Sequence, residues 1–125
     1  MSRNIKLKAW DSDRQVFHTD PKWVEFVFIN GVITARNFNR KGGIQSLKVI
    51  EYTGLKDKNG KEICEGDIVG YTNVSRGRQL DQVVWLDDVA CFNVMSPFIN
   101  LYSSEDMTVE GNIYQNPELL EANNE

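Results

Sequence analysis

The pair Asn30-Gly31 stands between two runs of β-branched and aromatic residues, Trp23-Val24-Glu25-Phe26-Val27-Phe28-Ile29 and Val32-Ile33-Thr34-Ala35-Arg36. A two-residue connection of type I′ needs positive φ at both central positions, and Asn-Gly meets that need at little cost. The spacing predicts a tight antiparallel hairpin, so the chain must build at least one sheet. The rest of the chain repeats the theme of short apolar runs cut by turn residues.

Ile5-Lys6-Leu7-Lys8-Ala9-Trp10 alternates apolar and basic, the period of a half-buried strand. Asp11-Ser12-Asp13 supplies a turn, Gln15-Val16-Phe17 reads as the return strand, and Pro21 interrupts regular structure. Residues 37–43 read as a loop, and 44–52 as a strand with Leu47, Val49 and Ile50 as its apolar positions. Residues 75–81, polar and carrying Arg76 and Arg78, read as an exposed loop. Residues 82–86 and 89–94 flank Asp87-Asp88 as a further hairpin. The segment 97–107 is too short for its periodicity to choose between strand and helical turn. Residues 109–114 form a last strand, and Asn116-Pro117-Glu118 has the cap, the first-turn proline and the acid that start a helix. That helix is short and is expected to fray at Asn123-Asn124.

The central run YTGLKDKNGKEICEGDIVGY, residues 52–71, carries the densest punctuation. If Asn59-Gly60 were a complete two-residue turn, Lys58 would face Lys61 and Asp57 would face Glu62, and like charges opposite each other are unfavourable. A three-residue loop, Lys58-Asn59-Gly60, sets Asp57 against Lys61, Lys56 against Glu62 and Leu55 against Ile63. Each such pair contributes roughly 0.2–1 kcal/mol. The charges select the three-residue loop, with Gly60 left-handed. Asn30, Gly31, Gly54, Asp57, Asn59, Gly60, Gly66 and Asp67 are thus assigned as structural turn residues, with Glu65-Gly66-Asp67 making a corner into the next strand.

At 125 residues, 41% hydrophobic and 26% charged, the chain can bury a core without metal or disulfide help. A net charge of −4 gives no overall pull toward nucleic acid or anionic membrane. Cys64 and Cys91 are far apart and form no CxxC, which favours reduced thiols and a cytoplasmic setting. The opening MSRNIKLKAWDSD lacks the apolar run of a signal peptide, and no segment approaches the roughly 20 apolar residues of a membrane span.

Three motifs in order, IKLKAWD, YTGLKDKNGKEICEGDIV and GNIYQNPELLE, resemble the YopX family of phage and prophage proteins over nearly the whole chain. The resemblance implies a mainly β fold with an SH3-like barrel and a bacterial host cytoplasm. It brings no catalytic, cofactor or ligand residues to carry over. Family members often have an aromatic residue where Cys64 stands and a glycine near Asp88.

The residues themselves offer few chemical constellations. A calcium loop around Gly60 would place Leu55 and Gly66 at ligand positions, which is the wrong chemistry. His18 is the only histidine, so zinc would need 18, 64 and 91 drawn together, and a cysteine nucleophile would have only His18 as its base. Beside Thr19-Asp20, His18 reads more simply as an exposed loop residue, and the cysteines as small core side chains. The grouped carboxylates, Asp11 and Asp13, Asp67, Asp87 and Asp88, Glu105 and Asp106, sit at turns. For nucleic acid, Arg36, Arg40, Lys41 and Lys48 gather around one loop with Phe38 among them, and Arg76 and Arg78 lie on another. Of Trp10, Trp23 and Trp85, core packing explains most, while one is a candidate interface anchor.

The expectation is a mainly β protein in one domain, residues 1–125. Residues 1–51 carry N-terminal β-hairpins, 52–96 the strands of a small SH3-like barrel, and 97–125 a closing strand and short helix. In function it is expected to be a non-enzymatic phage accessory protein that binds a host or phage protein or another copy of itself, with no cofactor or metal. The alternative is a nucleic-acid-binding module using Arg36, Arg40, Lys41, Arg76 and Arg78, and a third reading is an enzyme with an unrecognised site.

Overall fold

The computed structural model describes residues 6–38, 44–73, 75–87, 90–95 and 106–122. The chain is mainly β and divides into two compact units, Met1–Glu51 and Tyr52–Glu125.

In the first unit, β1 (Leu7–Asp11), β2 (Val16–His18), β3 (Glu25–Ile29), β4 (Val32–Phe38) and the first part of β5 (Ile44–Lys56) form an antiparallel sheet. Its order is β2-β1-β5-β4-β3. The Asn30-Gly31 turn has φ of +52° and +80°, and Ile29 pairs with Val32 directly across it. The ladder then runs without interruption to Glu25 and Arg36. Pro21 lies in a turn closed by the Trp23 N–H donating to the Asp20 carbonyl at 2.9 Å. Ala9, Val24, Ala35 and Leu47 make the core, with Phe26 and Val49 packed on it. Ala9 and Ala35 are fully buried within it.

β5 passes into the second unit at Tyr52, where it pairs with β6 (Glu62–Cys64). β7 (Asp67–Asn73) lies between β8 (Gly77–Gln82) and β11 (Thr108–Asn112). β9 (Trp85–Leu86) and β10 (Cys91–Phe92) form a two-residue ladder, followed by a 3-10 turn over Asn93–Met95, and α1 (Glu118–Ala122) is the described helix. Ile63, Val69, Val83, Phe92 and Met107 form this unit's core, with Leu55, Val94 and Val109 against it.

Two local expectations change. Residues 75–81 are mostly strand, because β8 pairs with β7 from Asn73–Gly77 through Ile68–Gln82. A polar edge strand lacks the alternation that marks a half-buried one, so composition alone reads it as a loop. Between Tyr52 and Lys56 the β5–β6 register shifts, so Leu55 is not a ladder partner of Ile63, although it packs on the cluster that contains Ile63. The Thr53 hydroxyl donates to the Ile63 carbonyl at 2.7 Å and accepts the Leu55 N–H at 3.1 Å, holding the irregularity in place. The segment 97–107 and the fraying end of α1 lie largely outside the described residues, and only Asp106 and Met107 of the former are placed. No described helix is long and apolar enough to cross a membrane.

Candidate interaction surface

The residues of the central motif turn inward to serve the fold. Lys56 pairs with Glu62, Gly60 has a φ of +83°, and the Gly60 N–H donates to the Asp57 carbonyl at 3.0 Å. Asp57 is buried, and its carboxylate does more than face Lys61. One oxygen accepts the Asn59 and Lys61 N–H groups, both at 2.9 Å, and the other accepts Val109 N–H at 2.9 Å. The loop and strand β11 are thereby tied through one side chain. Burial pushes the Asp57 carboxyl up, but the bonds from Val109, Lys61 and Asn59, with the Lys61 charge, outweigh it and hold the group below its ordinary value.

The corner at Gly66 is where two motifs meet. Asp67 accepts the Cys64 N–H at 2.8 Å, and the Gly66 carbonyl accepts Ile113 N–H at 2.9 Å. A Cβ on Gly66 would lie 2.8 Å from the Tyr114 ring. Burial raises the Tyr114 phenol, with Glu65 and Asp67 adding to the effect. Asn112 accepts the Tyr114 and Gln115 N–H groups at 3.0 and 2.8 Å, shaping the turn that follows β11. Asn116 turns its Oδ1 back toward the Asn112 N–H at 3.3 Å. The residues that distinguish the central and C-terminal motifs therefore build turns and docking contacts.

His18 is not an exposed loop residue. It lies on β2 with its Nε2 3.0 Å from Oδ2 of Asp11, and the two side chains are 14% and 0% exposed. Asp11 Oδ1 also accepts the Asp13 and Arg14 N–H groups at 3.1 and 3.2 Å, so the carboxylate closes the β1–β2 turn. Burial raises the Asp11 carboxyl, but the His18 bond and the backbone donors prevail and keep it below its ordinary value. A buried Asp on a His ring also orients catalytic bases. Here the diagonal pair staples a hairpin beside Trp10 and Phe17, whose rings lie 4.7 Å apart, while Lys8 sits 4.1 Å above the Phe17 ring. Among the described residues no three His, Cys, Asp or Glu side chains are grouped to hold a metal.

Two of the candidate cations are engaged by carboxylates. Arg36, on β4, pairs with Glu25 across the hairpin at 3.1 Å, and its Nε is buried without a partner. Arg78, on β8, reaches over Gly70 of β7 to Asp106 at 3.1 Å, Thr108 at 2.6 Å and Glu110 at 3.4 Å. A phosphate would have to displace these carboxylates. The Asp106 carboxyl is lowered first by the Thr72 hydroxyl, against some burial, and further by the Thr72 N–H and Arg78. Arg76 is exposed in the β7–β8 turn, Lys48 is exposed on β5, and Arg40 and Lys41 lie outside the described residues.

The first unit does display an apolar cluster. Phe28 is 76% exposed, Val32 63%, Trp23 56% and Ile29 44%. Phe28, Ile29 and Val32 cluster at the tip of the β3–β4 hairpin. Strand alternation puts Phe28 on the face that carries core-packed Phe26, and Ile29 on the opposite face with its partner Val32. The tip is thus apolar on both faces. Pattern reading located the hairpin but not this exposure, because a run rich in Phe, Val and Ile reads equally well as buried. Of the tryptophans, Trp10 is buried, while Trp85 is partly exposed and edge-on to Phe92 at 5.1 Å.

A model of the YopX protein family matches residues 5–121. Among solved structures the chain is similar to the crystal structure of protein EF1440 from Enterococcus faecalis, at 25% identity and a TM-score of 0.57. That likeness covers 95% of this chain and 99% of the other. No curated protein matches it.

Proposed function

The chain belongs to the YopX family, and from that premise we propose that it is a non-enzymatic phage-type accessory protein that binds another protein in the bacterial cytoplasm. The observation that carries this reading is the β3–β4 tip, where Phe28, Ile29 and Val32 face solvent on both sides of a rigid two-residue turn. Aromatic and branched side chains held in a fixed geometry are what a partner's apolar groove selects, since little side-chain freedom is lost on binding. The inward commitment of Asp57, Asp67 and Asn112 supports the same view, because the most distinctive motif residues are spent on the fold. The reading also takes the strands of residues 52–96 as a small SH3-like barrel, supported by the Gly66-Asp67 corner feeding the β7–β8 hairpin.

The test is a tagged pull-down from host lysate with and without nuclease, comparing the natural chain with Phe28→Ser/Val32→Ser. A protein retained by the first and lost by the second, with unchanged melting, is the expected result. Retention indifferent to the substitutions would overturn the assignment of the surface. Capture that vanishes with nuclease would transfer the function to Arg36, Arg40, Lys41, Arg76 and Arg78 as a nucleic-acid module.

A further inference from the structure

We propose that the edge of β3 that pairs with no strand among the described residues receives β3 of a second copy of this chain, antiparallel, about a two-fold axis at Val27. The proposal rests on the reading of the β3–β4 hairpin as an interaction surface and names what covers it. The two ends of the first unit's sheet differ in a way that bears on this. β2 is three residues long, and short edges resist pairing; β3 is five residues long, unbulged, and contains neither lysine nor proline.

The turn decides which main-chain groups face outward. A two-residue turn bonds the Val32 N–H to the Ile29 carbonyl, so 29 with 32, 27 with 34 and 25 with 36 are the hydrogen-bonded pairs of the hairpin. Phe26 and Phe28 therefore direct their N–H and C=O groups to this edge. An antiparallel strand satisfies them when its own outward groups stand opposite, and β3 of a second copy does so in the register centred on Val27. With the axis at Val27, Phe26 of each copy lies across from Phe28 of the other, and aromatic pairs stabilise a ladder by roughly 0.2–1 kcal/mol each.

Charge permits this register. The one charge on β3, Glu25, is held by Arg36 at 3.1 Å and would face Ile29 of the second copy, with the two glutamates at opposite ends of the ladder. The exposed tip offers on the order of 300 Å² of apolar side chain per copy, the scale of a functional patch. In this register Phe28 and Ile29 of each copy are covered in part by Phe26 and Glu25 of the other, whereas Val32, on β4, lies one strand away from the new ladder. A strand from another protein would use the same edge, but nothing in such a strand is required to repeat the Phe-Val-Phe symmetry.

Sedimentation velocity on the full chain, with Val27→Lys, Val27→Cys and Thr34→Cys variants, tests this. The natural chain should be dimeric, and Val27→Lys, which sets two ammonium groups face to face, should be monomeric with unchanged circular dichroism. On oxidation Val27→Cys should form a covalent dimer beyond the level of the natural chain, since non-bonded antiparallel neighbours stand about 4.5 Å apart at Cα. Thr34→Cys, one strand further from the axis, should not. The cysteine pair decides the matter if Val27→Lys fails to fold. A natural chain monomeric at every concentration, or a dimer that Val27→Cys does not cross-link, overturns the proposal. The functional reading survives that result if a host or phage protein is still lost on Phe28→Ser/Val32→Ser, and falls if none is.

Discussion

At the scale of single residues, Asp57 and Gly66 carry more of the second unit than their size suggests. Asp57 satisfies three backbone donors with one buried carboxylate. Asp57→Ala leaves those donors short of partners and should cost about 3 kcal/mol, read as a fall in the urea midpoint at unchanged slope. Gly66 combines a φ of +86° with the Tyr114 ring 2.8 Å from where a Cβ would stand. Gly60 has nearly the same φ, +83°, with nothing within 4 Å of that position. Gly60→Ala should therefore cost about 1 kcal/mol, the left-handed strain alone. Gly66→Ala should cost about 2–4 kcal/mol, because the ring must also move. Equal losses for the two glycines would show that Tyr114 is not packed on the corner.

At the scale of elements, strength lies in how neighbours close on each other. Helix α1 has only five residues and cannot hold itself together in water. It is kept by Gly111, where a Cβ would stand 2.6 Å from Asn116 Oδ1 and 2.9 Å from Leu119 Cδ1. Gly111→Ala should undock α1 at a cost of about 1–3 kcal/mol, seen as lost amide protection over residues 118–122 with β7 and β8 still protected. Elements of this kind show how far sequence reaches. Asn30-Gly31 and the loop at Lys58-Asn59-Gly60 were legible because their geometry is set by residues adjacent in the chain. β8 was not, since its polar side chains follow β7 and Arg78 finds its carboxylates 28 and 32 residues away. The Asp11–His18 pair was missed for a related reason: seven residues apart, the two meet only once β1 and β2 are in register. Asn116 signalled the helix start correctly, yet its side chain serves the β11 turn. Exposure of Phe28 was beyond reach, because no local pattern says where a sheet's cover ends.

At the scale of the whole molecule, each unit holds a buried carboxylate that is easier to ionise folded than unfolded, Asp11 in the first and Asp57 in the second. A carboxyl lowered by folding contributes its full stability above the unfolded value, about 3.9 for aspartate. Below that pH the unfolded chain takes up the proton first, and the contribution is lost as pH falls through the lower, folded value. Stability should therefore hold from neutral pH to about 5 on account of these groups and decline steeply below about 4. Asp57→Asn keeps the shape and removes the titration, so the variant should be weaker at neutral pH and lose less on acidification. Urea midpoints across that range, compared for the natural chain and the variant, decide the point. Parallel acid limbs would mean that the proton is taken up elsewhere, whereas converging limbs would identify Asp57 as a carboxylate through which acid opens the second unit.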